Sequence, residues 1–151
     1  MDKAESRYLS ILEGVIEELG RVERDFVQSS SGIRAVTQLI EEMSGDRARF
    51  EPDDPVVHKG SRALRRVVEN LEEQRFRLSR TRPPSLWNAF HDLLLRSLDL
   101  QHQGYVEMGL LFEDQQLRHL REGQRLVREG LGLLQAGCRD SSSQAAGYRL
   151  R

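Results

Sequence analysis

Four histidines, one cysteine and a surplus of carboxylates are the side chains of this 151-residue chain with the chemistry for a reactive site. Spacing decides whether they form one. A carboxylate-bridged di-iron site in a helical bundle needs two Glu-x-x-His motifs and two further inward glutamates. The nearest match is a single Asp99-x-x-His102, and His119-x-x-Glu122 runs the other way round. His91 and His102 share a helix face but lie about 16 Å apart along the axis, too far for one ion. Glu107, Glu113 and Glu122 read as solvated positions. Cys138 has no histidine near it in sequence to act as a base. The phosphate loop Gly-x-x-x-x-Gly-Lys-Ser/Thr is absent, and His58-Lys59-Gly60-Ser61 reads as a helix start. The expectation is a protein without catalytic residues, metal or cofactor, and so not an enzyme.

Two clusters remain. Trp87, His91 and His102 sit beside apolar seams and define a possible ligand pocket. The plainer reading makes both histidines bundle residues whose ring nitrogens bond a neighbouring carboxylate or carbonyl. Arg75, Arg77, Arg80 and Arg82 form a possible basic contact patch for nucleic acid. Base recognition also needs stacking or hydrogen-bonding readers, and only Phe76 interrupts the cluster. Glu69, Glu72 and Glu73 stand among the same residues and would repel phosphate. Cations at a helix end also oppose its negative dipole. A solvated or internally paired face is expected instead.

The elements that must position these residues are helices. Tyr8, Leu12, Val15, Leu19, Val22 and Phe26 step by three and four, predicting a first helix over about 4–27. Gln28 to Gly32 reads as a break with serine caps. Ile33, Val36, Ile40 and Met43 then mark a short helix, and Phe50 is placed back on the core. Glu51-Pro52-Asp53-Asp54-Pro55 reads as a loop. Val57, Leu64, Val67, Leu71 and Leu78 define the next long helix, over 56–79. Pro83 and Pro84 must end anything arriving from it. Beyond them Trp87, Phe90, Leu94, Leu98, Tyr105, Met108 and Phe112 lie on one face. A last helix carries Leu117, Leu120, Val127, Leu131 and Leu134, joined at Glu113–Asp114 with Asp114 as its cap.

Two seam features stay open. Gln74, Gln101 and Gln124 fill seam positions on three helices, so they either meet as a buried polar layer or lie at bundle edges. Gly109, Gly123, Gly130 and Gly137 share one heptad phase, which either permits close backbone approach or marks an exposed face. The fold class is therefore all-α: an up-and-down antiparallel bundle of four long helices. A short helical insertion lies between the first and second of these. Residues 1–137 form one domain, and 138–151, without apolar period, read as a mobile tail.

Composition agrees. Charged residues make up 31% and aromatics 6%, the balance of amphipathic helices rather than of sheets. Net charge is −1, so no global field selects nucleic acid or acidic membranes. By segment the charge alternates, −3 over 1–30, −3 over 31–56, +5 over 57–82, −3 over 83–113 and +3 over 114–151. That pattern favours neighbouring antiparallel helices. A single cysteine permits no internal disulfide, and no run is long and apolar enough for a membrane span. A cytoplasmic location is expected.

The span from the second long helix onward resembles a pattern found in small bacterial helical-bundle proteins of uncharacterised function. There a leucine-rich helix ends at Pro-Pro and an antiparallel hairpin follows with a histidine near its start. The matching residues are Leu71, Leu78, Pro83, Pro84, Leu86, His91 and the heptad leucines to Leu134. The resemblance implies a bundle and brings no catalytic residues. The functional expectation is a non-catalytic interaction or scaffolding module, working as a homodimer or with another protein. The alternatives are a small-molecule or metal-binding bundle at Trp87, His91 and His102, and nucleic-acid binding through Arg75–Arg82.

Overall fold

Pro83 and Pro84 divide the chain into two helical hairpins. The computed structural model describes the backbone of residues 2–44 and 55–149, with side chains over 2–26, 55 and 57–139. Helix α1 spans Lys3–Ser44, α2 Pro55–Ser79, α3 Asn88–Gly109, the single turn α4 Leu111–Asp114, and α5 Arg118–Arg149. A 3₁₀ turn, Ser85–Trp87, leads into α3. The result is the expected all-α up-and-down bundle of four long helices, with α2 packed on α1 and α3 and α5 packed on α3.

Local chemistry sets most of the boundaries. Pro55 opens α2, where its missing N–H costs nothing because first-turn donors have no partner inside the helix. At the other end the last carbonyls of α2 are captured by hydroxyls. Ser79 Oγ donates to Phe76 O (2.8 Å) and Thr81 Oγ1 to Arg77 O (2.8 Å) before the prolines stop the helix. Between α4 and α5 the chain turns through Gln115 in the left-handed region, with φ 60°.

Two boundaries differ from the sequence reading. Helix α1 continues unbroken through Gln28–Gly32, so the segment Ile33–Met43 is helical but is the continuation of α1. Serine and one glycine raise the cost of a helix by about 1 kcal/mol or less each, too little to interrupt propagation once it has begun. Helix α5 likewise runs on to Arg149, through most of the segment read as a tail. Phe50 and the loop over 51–54 lie outside the described residues.

The core is built from the predicted seams. Tyr8, Leu12, Val15 and Val22 of α1 meet Leu64, Val67, Leu71 and Leu78 of α2 and Phe90, Leu94, Leu98 and Tyr105 of α3. Leu120, Leu131 and Leu134 of α5 pack against them. On α5 the contact face is rotated from the leucine seam toward the glycines. Leu120, Gly123, Val127, Gly130, Leu134 and Gly137 form its heptad, and the buried Gly123 displaces Gln124 to solvent. Facing them on α3 are Phe90, Ser97, Gln101, Gly104 and Met108, all buried.

Contact between these two helices is backbone to backbone. A Cβ on Gly104 would lie 2.7 Å from Gly123 O, one on Gly123 2.5 Å from Gly104 O, and one on Gly130 2.7 Å from Ser97 O. The Ser97 hydroxyl donates to Gly130 O at 2.6 Å, and Gln101 Nε2 donates to Ser97 Oγ at 3.0 Å. The three seam glutamines therefore do not form one layer. Gln101 bonds within α3, Gln124 is exposed, and Gln74 is buried with its Oε1 unpartnered. Of the four phased glycines, Gly123, Gly130 and Gly137 are packing positions, whereas Gly109 has nothing near its missing side chain.

The glycines should accordingly respond in opposite directions to one methyl group. Gly130→Ala and Gly123→Ala are expected to lower stability by about 1–3 kcal/mol, because the seam has no room. Gly132→Ala, where a Cβ meets nothing, should raise it by up to about 1 kcal/mol. Urea denaturation of the three variants measures both signs.

Candidate functional site

Trp87 and His91 come together as expected, around a residue the sequence reading left in the core. Tyr8 of α1 lies 6.3 Å from the Trp87 ring and 5.8 Å from the His91 ring, centroid to centroid. Its hydroxyl and His91 Nδ1 share a hydrogen bond of 3.1 Å. Trp87 Nε1–H donates to Glu5 Oε1 at 3.4 Å, and Phe90 sits edge-on to the indole. This aromatic cluster fastens the first turns of α1 to the start of α3. Burial pushes the Tyr8 phenol up to about 12, with the Asp92 charge adding to it. Burial also lowers the His91 imidazole from its usual range, against a smaller opposing pull from Asp92. Both groups are therefore neutral at pH 7 and are partnered with each other.

His102 is not part of that cluster. It bonds Glu72 of α2 across 3.0 Å, one step from the Arg75–Asp99 ion pair at 2.9 Å. The three residues proposed as a pocket thus lie in two separate contacts. The basic patch is also divided. Arg75 is held by Asp99, Arg77 lies against Gly14 of α1, and Arg80 stacks over Phe76 at 5.2 Å. An open cleft of ≈570 Å³ between α1 and α2 has Arg21, Asp25, Arg66, Glu69, Asn70 and Glu73 on its walls. Charges of both signs line it, and Arg21 is already bound to Glu18 and Asp25.

One cluster was missed. His119 is 6% exposed and lies between two carboxylates, Nδ1 to Glu107 Oε1 at 2.7 Å and Nε2 to Asp114 Oδ2 at 2.6 Å. A neutral imidazole donates from one nitrogen only, so both contacts call for the cation. Glu107, and after it Asp114, raise the His119 imidazole above its usual range, and His119 in turn holds the Asp114 carboxyl low. Asp114 Oδ1 also accepts the Gln116 N–H at 3.0 Å. Asp114 is therefore a turn fastener rather than the cap of α5. Both ring nitrogens are engaged by these carboxylates. Among the described residues no group of His, Cys, Asp and Glu is placed to hold a metal ion.

The Glu107–His119 contact lies on the outer side of the α3–α5 pair. One heptad along stand Leu100 and Leu126, and one further Leu93 and Leu133. All four are only partly buried. Leu95, on the other side of α3, packs against the core instead. The width of the leucine stripe on α3 was legible in sequence, and the structure assigns Leu95 to the inside and Leu100 to the flank. On α1, Ile11 packs inward and Ile16 is 43% exposed.

The two histidines give stability opposite slopes with pH. His119 binds its proton more tightly folded than unfolded. Its contribution is complete below about pH 6.5 and is lost as pH rises through the folded value. His91 binds more weakly folded, so its contribution is present above about pH 6.5 and is lost as pH falls through its folded value. His119→Asn should therefore lower the melting temperature more at pH 5.5 than at pH 8.5, and His91→Phe should do the reverse of this in pH trend. Imidazole NMR titration should place His119 above, and His91 below, the ordinary histidine range.

Compared with known proteins, the chain matches no family model, no curated protein and no solved structure.

Proposed function

We propose that the chain is a non-catalytic interaction module whose contact face is the outer flank of the α3–α5 pair. The observation that carries this reading is the row Leu93, Leu100, Leu126 and Leu133, four large apolar side chains in register across two helices and incompletely covered. Leu93 also lies against Gly137, and the apolar surface the row leaves uncovered favours association, since each buried methylene gains about 0.8 kcal/mol. The histidines support the reading indirectly. His91, His102 and His119 are each engaged by a neighbouring side chain, so their ring chemistry serves the bundle.

Self-association is the simplest form of such a module, because one self-complementary patch closes a dimer. Sedimentation equilibrium in the micromolar range is expected to give twice the 17.4 kDa chain mass. Leu100→Glu should return the protein to monomer with its helical circular dichroism unchanged, since Leu100 lies outside the buried core. Monomer mass for the parent protein throughout that range would refute self-association by this face.

A further inference from the structure

The charges bordering the leucine row select how two copies would meet. Arg96 lies three residues after Leu93 and four before Leu100, on the outer shoulder of α3. Glu129 lies three residues after Leu126 and four before Leu133, on the outer shoulder of α5. Both are exposed. In the antiparallel register of the glycine seam, where Gly104 lies between Gly123 and Val127 and Gly130 between Ser97 and Gln101, the two stand on opposite sides of the row about 6 Å apart in height, a span that an arginine side chain covers. Arg96 forms no ion pair among the described residues. Glu129 has Arg125 at 3.2 Å, but that guanidinium is held more closely by Glu122 at 2.7 Å. The same shoulders carry Ala89 with Ala136 one heptad one way and Gln103 with Glu122 one heptad the other. Small faces small, and polar faces acidic.

Two leucine rows can be laid face to face about a two-fold axis in two ways that bring leucine against leucine at both levels. With the axis across the helices, midway between those levels, α3 covers the partner's α3. Arg96 then meets a second Arg96, and Glu129 a second Glu129. With the axis parallel to the helices, α3 covers the partner's α5, Leu100 meets the partner's Leu126, and Arg96 meets the partner's Glu129 twice over. Like charges opposed at an interface are costly, and opposite charges both steer encounter and fix register. From this complementarity we propose that the occupant of the α3–α5 face is a second copy of this chain. It is related by a two-fold axis parallel to the helices and set in register by two reciprocal Arg96–Glu129 pairs. The proposal rests on the interaction reading above and adds the partner and its orientation.

Charge exchange tests it. Dissociation constants would be measured by sedimentation equilibrium for the parent protein, R96E, E129R and the double variant R96E/E129R. Circular dichroism and melting would establish that all four are folded, and Leu100→Glu would serve as the apolar control. Each single exchange places like charges opposite each other at two points, and is expected to weaken dimerisation by about tenfold. The double exchange re-forms the pairs with reversed sign and should recover most of that loss. A dimer weakened by Leu100→Glu but indifferent to the single exchanges would overturn the orientation while leaving the interaction reading standing. Failure of the double variant to recover would overturn the orientation equally. A parent protein that stays monomeric would sink both.

Discussion

The close approach of α3 to α5 is the constraint on which the rest of the structure depends. Side chains normally separate two packed helices by 8–10 Å. Here Gly104 and Gly123 face each other across a gap that admits no Cβ on either side. The Ser97 hydroxyl enters the same seam and bonds the Gly130 carbonyl directly. Such contact gains dispersion along two backbones and fixes axial position sharply, because only the glycine and serine levels fit. Everything on the outer side inherits that position. Glu107 reaches His119, and Leu100 lies within one helical turn of the level of Leu126, through one register.

The polar residues of the bundle follow a common rule: each is spent on a neighbour. At one end Tyr8 and His91 satisfy each other in a buried, neutral bond. At the other, His119 carries a charge that Glu107 and Asp114 balance. Between them Glu72–His102 and Arg75–Asp99 close the outer seam of α2 and α3. These groups specify which helices lie side by side and at what height. An exposed pair of this kind contributes only about 0–1 kcal/mol, so their value lies more in orientation than in total stability. Gln74 and Asn70 are the exceptions among the described residues, each with a buried oxygen that no neighbour satisfies; we find no physical account of them.

Helical periodicity made the fold legible, because three- and four-residue steps report directly on which face is buried. It could not report relations between helices. Glu107 and His119 belong to different helices across a turn, and their meeting follows only from the α3–α5 register. That register is set by Gly104, which lies outside the heptad phase of the other glycines and so carried no sequence signal. On α5 the seam leucines and Val127 pack as read, and only Gln124 was misplaced, for a related reason. Leucine counts favoured a seam through Gln124, whereas close packing rewards the absence of a side chain at Gly123. The unbroken α1 shows the opposite error, in which cap-forming serines were weighed above cooperative helix propagation. Trp87 and His91 both lie against Tyr8 because both stand at the start of one helix. His102 shares their helix face, but the axial rise of about 16 Å from His91 already separates it from them.

A seam made of gaps has a bearing on how such a chain can change length. The α3–α5 connection at Gln115–Leu117 can gain or lose a residue while both helices keep their faces. An insertion within α5 cannot be absorbed in that way, because one residue turns all that follows by about 100°. Between Gly123 and Gly130 it would bring a full side chain to a level where only hydrogen fits, and would carry Gly130 and Gly137 away from α3 together. Lineages descended from such a chain would therefore vary in the turn and at the helix ends, and hold the spacing of the glycines constant even where every other residue of α5 is replaced.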